Sequence, residues 1–203
     1  IFAPSWQFIG SADQLNERNN CLPFTLLENY LDEPLLLTRD QQGKLHCLSN
    51  VCTHRGNLLA YEPCQANQLR CKYHGRLFDL DGRFRSMPEF KEVEDFPSAE
   101  DHLKSLPLFQ WGNLLFTSLQ PKVPAAGYLK EMMDRVGWLP LDKLQYRPDL
   151  SKDYFVEANW ALYCENYLEG FHIPFVHAGL NAVLDFGEYS TEIFEYCNLQ
   201  LGI

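Results

Sequence analysis

Two short segments each pair a cysteine with a histidine: Cys52-Thr53-His54 and Cys71-Lys72-Tyr73-His74, with sixteen residues between His54 and Cys71. A glycine follows each histidine closely, Gly56 in the first segment and Gly75 in the second. Thiolates and neutral imidazoles are ligands for iron and for zinc. Two of each, presented from two tight loops, satisfy a two-iron, two-sulfide cluster in which the cysteines hold one iron and the histidines the other. The glycines let the backbone turn closely around such a group, and N–H groups in the turns can donate to its sulfurs. The chemistry of that centre is one-electron transfer. A structural zinc ion is the competing reading, because the same four donors complete a tetrahedron. Zinc knuckles usually pair Cys with Cys and His with His, so the mixed order here favours the iron–sulfur cluster. Four unrelated core residues would be the plainest alternative, and two matched loops argue against it.

Cys-Thr-His-Arg-Gly at 52–56 and Cys-Lys-Tyr-His-Gly at 71–75 resemble the ligand loops of Rieske proteins. The resemblance implies that Cys52, His54, Cys71 and His74 bind a 2Fe-2S cluster. Rieske proteins of respiratory complexes add a disulfide between the loops, at positions occupied here by Asn57 and Tyr73. The loops are therefore similar to the branch of ring-hydroxylating oxygenases and Rieske ferredoxins.

A second pair of histidines, His172 and His177, lies in the stretch from Asn159 to His177. On an undisturbed helix a spacing of five residues turns the second side chain about 140° from the first, too far to share one ion. Pro174 lies between them. It cannot donate to the carbonyl of Gly170 and its ring crowds that turn, so the helix is expected to kink or end between the histidines and let them converge. Two imidazoles and one carboxylate form the facial site of mononuclear iron oxygenases, with positions open for dioxygen and substrate. Asp185, Glu188, Glu192 and Glu195 follow, but none has the expected context for the carboxylate. Ordinary polar roles in a core helix are the alternative for the two histidines.

Glu169, two spacers, His172, four spacers and His177 resemble the catalytic motif of the large subunits of Rieske non-heme iron oxygenases. The resemblance extends from Trp6-Gln7-Phe8-Ile9-Gly10 to His177. It implies a terminal oxygenase component that takes electrons from a reductase or ferredoxin through the cluster to a mononuclear Fe(II). Dioxygen is activated there, to hydroxylate or oxidatively demethylate a small organic substrate. It also implies a homotrimer, a bridging role for Glu169 between the two metal centres, and a last carboxylate ligand further along than Ile203, so that the chain is expected to be incomplete. The common pattern has aspartate where this chain has Glu169. Glutamate resembles the subgroup that oxidises quaternary ammonium compounds such as choline, betaines or carnitine rather than aromatic rings. Tyr163, Tyr167, Phe171 and Phe175 could offer an aromatic cage for such a cation, although rings on a helix more often serve a core. A Rieske ferredoxin-type carrier without catalytic iron is the alternative function.

The elements that must position these residues are legible in outline. Leu35–Thr38 and Leu45–Leu48 flank Gln41-Gln42-Gly43-Lys44, a hairpin pattern, and Leu77–Leu80 runs into the turn signal Asp81-Gly82. Closing strands are expected around Trp111-Gly112-Asn113 and Leu114–Thr117, and Pro121 and Pro124 mark a linker. Beyond it, 128–136 reads as a helix, 153–158 as a strand, and 188–197 as another strand. The expected fold class is α+β: an antiparallel β Rieske domain over 1–120, then the N-terminal part of a helix-grip-like catalytic domain over 121–203. The chain carries 17 basic against 27 acidic residues, a formal charge of −10, which disfavours nucleic acid as a partner. The acidic stretches at 89–95 and 100–101 read as solvated loop faces. No apolar run is long enough for a membrane span, no signal peptide is evident, and seven cysteines are an odd number for a disulfide-stapled secreted domain. A cytoplasmic enzyme with Cys21, Cys47, Cys64, Cys164 and Cys197 as mostly buried free thiols is expected.

Overall fold

Three consecutive leucines, Leu35, Leu36 and Leu37, have no exposed surface, and the architecture of the amino-terminal part is organised around them. The computed structural model describes residues 1–90 and 92–203; Lys91, inside the acidic stretch at 89–95, lies outside the described residues. The leucines belong to β3 (Glu33–Arg39), which pairs antiparallel with β2 (Cys21–Leu26) on one side and β4 (Leu45–Ser49) on the other. Side chains alternate along a strand. Leu36 therefore joins Leu48, Cys52, Cys71 and Phe78 in one core, while Leu35 and Leu37 join Cys47 and Leu115 in a second. A strand buried on both faces reads as a continuous apolar run, which is what the sequence presents.

The expected hairpins are present. Arg39 pairs with Leu45 at the end of the β3–β4 ladder, and Gly43 closes the turn with a φ of 81°, its N–H donating to the Asp40 carbonyl at 3.0 Å. A small three-stranded sheet is built from β5 (Leu69–Arg70), β6 (Leu77–Phe78) and β7 (Phe84–Ser86). β8 (Ser105–Leu106) completes the first sheet in the order β2-β3-β4-β8. A further sheet holds β1 (Gln7–Ser11) beside β10 (Leu114–Thr117), which pairs in turn with β9 (Leu108–Trp111).

The chain divides into two units, residues 1–125 with 139–146, and residues 126–138 with 147–203. A break thus falls next to the Pro121–Pro124 segment, with one short stretch returning to the first unit. The helical expectation for 128–136 corresponds to the end of α1 (Ala125–Tyr128) and to α2 (Lys130–Val136), separated at Leu129. The second unit continues with α3 (Trp160–Tyr167), α4 (Ile173–Val176), α5 (Ala178–Asn181) and a hairpin of β11 (Ser190–Ile193) with β12 (Asn198–Leu201).

Three expectations are corrected. Residues 153–158 form no strand, and Tyr154, Phe155 and Val156 are exposed: β-branched and aromatic content without a pairing partner is not enough. The single strand expected over 188–197 is instead the first arm of the β11–β12 hairpin, turned by the Phe194 N–H donating to the Cys197 carbonyl at 2.9 Å. Of the five motif-free cysteines only Cys21 and Cys47 are buried, whereas Cys164 is exposed. No described helix is long and apolar enough to cross a membrane.

Asn50, 3% exposed, anchors the start of the first ligand loop. Its side chain donates to the Ala60 carbonyl at 2.8 Å and accepts from the Ala60 N–H at 3.0 Å. Asn50→Ala strands both backbone groups in the interior, so urea unfolding should show a loss of about 2 kcal/mol. A change below about 0.5 kcal/mol, the level of an ordinary surface substitution, would contradict this anchoring role.

Candidate metal centres

The two Cys/His segments adopt the same turn. In the first, the Cys52 N–H donates to the Asn57 carbonyl at 2.9 Å and the Gly56 N–H to the Cys52 carbonyl at 3.1 Å. In the second, Cys71 donates to Arg76 at 2.8 Å and Gly75 to Cys71 at 3.0 Å. Gly56 and Gly75 sit at φ 71° and 73°, the left-handed region that a side chain disfavours. Each turn is held between neighbouring strand pairs, the Val51–Leu58 bridge for the first and β5–β6 for the second.

The turns sort the four side chains by type. Cys52 and Cys71 are 2% and 3% exposed and belong to the same core. His54 is half-buried and His74 exposed, with their rings edge to face and centroids 4.8 Å apart. Burial, then hydrogen bonding and charge repulsion from Cys71, push the Cys52 thiol up, against an opposing His54 N–H. Burial, His74, Arg55 and Arg76 push His54 down, in the direction of the neutral imidazole that a metal ligand requires. A two-iron cluster takes only two protein donors at each iron, and the separate cysteine and histidine pairs fit that demand.

Around these loops lies a clamp with no motif to announce it. Arg76 is 3% exposed and pairs with Asp101, whose backbone carbonyl accepts from the Thr53 hydroxyl at 2.9 Å. One ion pair thereby ties the second loop to the first. Burial acts to raise the Asp101 carboxyl, but the Ser98 N–H, the Arg76 guanidinium and the Ser98 hydroxyl outweigh it and hold the group below its usual 3.8.

In the second unit, His172 and His177 flank α4, one at each end, with ring centroids 5.0 Å apart. The helix break lies earlier than expected. α3 ends at Tyr167, where Gln200 and Asn198 donate to the Tyr167 and Leu168 carbonyls at 2.7 and 3.3 Å. Gly170 is buried, and a Cβ there would come within 2.5 Å of the Tyr189 ring. Pro174 occupies the first turn of α4, where a missing N–H costs nothing. The histidines converge because one helix has stopped and a four-residue helix has started, rather than because a continuous helix kinks at the proline.

Glu169 accepts from the Phe171 N–H and from His172 Nδ1. That bond places the ring proton on Nδ1 and leaves Nε2 as the free donor to a metal. The His172 bond, together with the Phe171 N–H, holds the Glu169 carboxyl low against a small opposing effect of burial. Glu169, both histidines, Tyr167 and Tyr189 line one cleft of about 510 Å³. Asp185, Glu188, Glu192 and Glu195 do not line it: Asp185 caps Gly187 and Glu192 pairs with Arg135. Tyr163, Phe171 and Phe175 are exposed and also lie outside the cleft, so only Tyr167 of the expected aromatic set borders it.

The chain is similar to known proteins in both parts. Residues 5–97 match the Rieske 2Fe-2S domain, and residues 131–198 match the ring hydroxylating alpha subunit (catalytic domain). Choline monooxygenase, chloroplastic, of Beta vulgaris is 31% identical over 209 residues, covering 98% of this chain and 45% of that protein. The carnitine monooxygenase oxygenase subunit of Escherichia coli K12 is 25% identical over 207 residues, covering 100% of this chain and 54% of that protein. The fold is shared with the quaternary ammonium Rieske monooxygenase CntA in complex with gamma-butyrobetaine, at a TM-score of 0.77, 24% identity, and coverage of 100% of this chain and 56% of that one. The chain spans about half the length of the curated relatives it matches.

The Asp101 clamp has a pH signature. A carboxyl whose folded pKa is depressed contributes stability that is full above about pH 4, its unfolded value, and is lost as pH falls through the lower folded value. Asp101→Asn should therefore be destabilised at pH 7 by about 1–3 kcal/mol and lose less stability than wild type between about pH 5 and 2. Parallel pH dependences of the two proteins in urea unfolding would contradict the clamp.

Proposed function

We propose that this chain, which belongs to the Rieske family of ring-hydroxylating alpha subunits, is the terminal oxygenase component of a system that oxidises a small quaternary ammonium compound. The observation that carries the oxygenase reading over a pure electron carrier is the meeting of His172 and His177 at 5.0 Å in the cleft that also contains Glu169. A carrier needs only the first loops. When bound, a 2Fe-2S cluster at Cys52, His54, Cys71 and His74 supplies single electrons, and an Fe(II) at His172 and His177 supplies activation of dioxygen.

The residues have distinct parts. Cys52 and Cys71 keep water from the inner side of the first centre, while His54 and His74 present its outer edge. Glu169 orients His172 and keeps its proton at Nδ1; by its place in the motif it is also assigned the link between the two metal centres. The carboxylate and the Tyr167 and Tyr189 rings give the cleft the complement of a cation without N–H donors, which aromatic faces bind and hydrogen-bond acceptors alone do not. Glutamate at position 169 and the names of the choline and carnitine monooxygenases support that substrate class, with hydroxylation or oxidative demethylation as the reaction.

The same reading assigns residues 1–120 to the Rieske domain and 121–203 to the start of the catalytic domain. Its partners are a reductase or ferredoxin as electron donor, dioxygen, and two further copies in a homotrimer. A cytoplasmic location accords with five free thiols beyond the two cluster cysteines, and plant relatives are named chloroplastic.

The test is oxygen uptake by the complete protein with its reductase, on choline, glycine betaine and carnitine against aromatic acids. Uptake is expected on a quaternary amine. His177→Ala should abolish it while preserving the visible spectrum of the cluster, and Glu169→Gln should lower activity roughly 10–100-fold. Uptake on aromatic acids alone would overturn the substrate class, and full activity in His177→Ala would overturn the site.

A further inference from the structure

Arg76 follows His74 and Gly75 directly, yet its side chain turns inward. The guanidinium carbon lies 5.9, 4.9 and 5.6 Å from the ring centroids of Phe78, Phe84 and Phe96. One terminal nitrogen meets Asp101, and Nε has no hydrogen-bond partner among the described residues. Among those residues Arg76 is the only charged one in the buried class. A buried guanidinium is costly unless paired and fully hydrogen-bonded, and an apolar side chain would fill the same space without that cost. Packing alone therefore does not account for arginine here.

What Arg76 supplies that an apolar residue cannot is a fixed positive charge. Three phenyl faces and one carboxylate hold it in place. Its backbone carbonyl closes the second ligand turn, and its partner Asp101 accepts, through its backbone carbonyl, from the Thr53 hydroxyl of the first at 2.9 Å. Cluster reduction adds one negative charge, which a nearby cation in a weakly screening interior stabilises. Asp101 opposes part of that effect while fixing the geometry.

We propose that Arg76 is a positioning residue that sets the reduction potential of the cluster, its charge favouring the reduced state and Asp101 moderating it. The inference rests on the assignment of Cys52, His54, Cys71 and His74 as ligands. It predicts opposite signs for the two members of the pair, which a merely structural role does not.

The experiment is a spectroelectrochemical titration of the complete protein, following the visible and electron paramagnetic resonance signals of the cluster. Arg76→Met keeps the apolar bulk and removes the charge. Poised at the wild-type midpoint, its reduced-to-oxidised ratio should fall about tenfold, equivalent to a shift of about −59 mV for a one-electron couple. Arg76→Lys should stay within about threefold of wild type, and Asp101→Asn should shift the ratio the other way. An unchanged midpoint in Arg76→Met with native signals, or an equal fall in Arg76→Lys, would overturn the proposal. If Arg76→Met assembles no cluster, the sign in Asp101→Asn decides: a rise supports the proposal and no rise overturns it. A wild-type protein without a cluster would instead overturn the ligand assignment, and this inference with it.

Discussion

The structure of the first unit depends on a backbone constraint: two turns, each closed by hydrogen bonds from a cysteine N–H and a glycine N–H, must present a buried thiol and an outward imidazole. Glycine at the fourth position after each cysteine permits the left-handed closure in both turns, even though the histidine stands two residues after Cys52 and three after Cys71. With the turns fixed, the cysteines enter a core with Leu36, Leu48 and Phe78. The histidines remain at the rim, His54 half-buried and His74 exposed. The strand pairs, Asn50 and the Arg76–Asp101 pair all serve to hold those turns.

The second unit meets a different demand by a different route. Two histidines five residues apart cannot share an ion on one regular helix. The chain solves this by ending α3 on side chains from β12, passing Gly170 tightly beneath Tyr189, and restarting in a helix of four residues. Glu169, in the interval, is thereby delivered to His172 Nδ1. The orientation of His172 and the interruption of the helix are the same structural event.

Local chemistry made much of this legible in the sequence. Cys/His spacing with nearby glycine identified the first turns, and Gly43 and Gly82 in turn sequences marked hairpins where the structure places both glycines at positive φ. The parts that were not legible are long-range. Asn50 bonds Ala60 ten residues away, Arg76 meets Asp101 twenty-five residues away, and no motif distinguishes either from a surface polar residue. Pro174 was a visible breaker but not the operative one, since the partners that end α3 are some thirty residues further on. The expected strand at 153–158 failed because propensity without a partner strand does not make a ladder.

The central claim is that one polypeptide holds two different iron centres. Iron and acid-labile sulfide per chain, measured on anaerobically purified protein from the complete reading frame, test it most directly. The account predicts about three irons to two sulfides. About two irons to two sulfides, unchanged by added ferrous iron, would contradict it and leave an electron carrier.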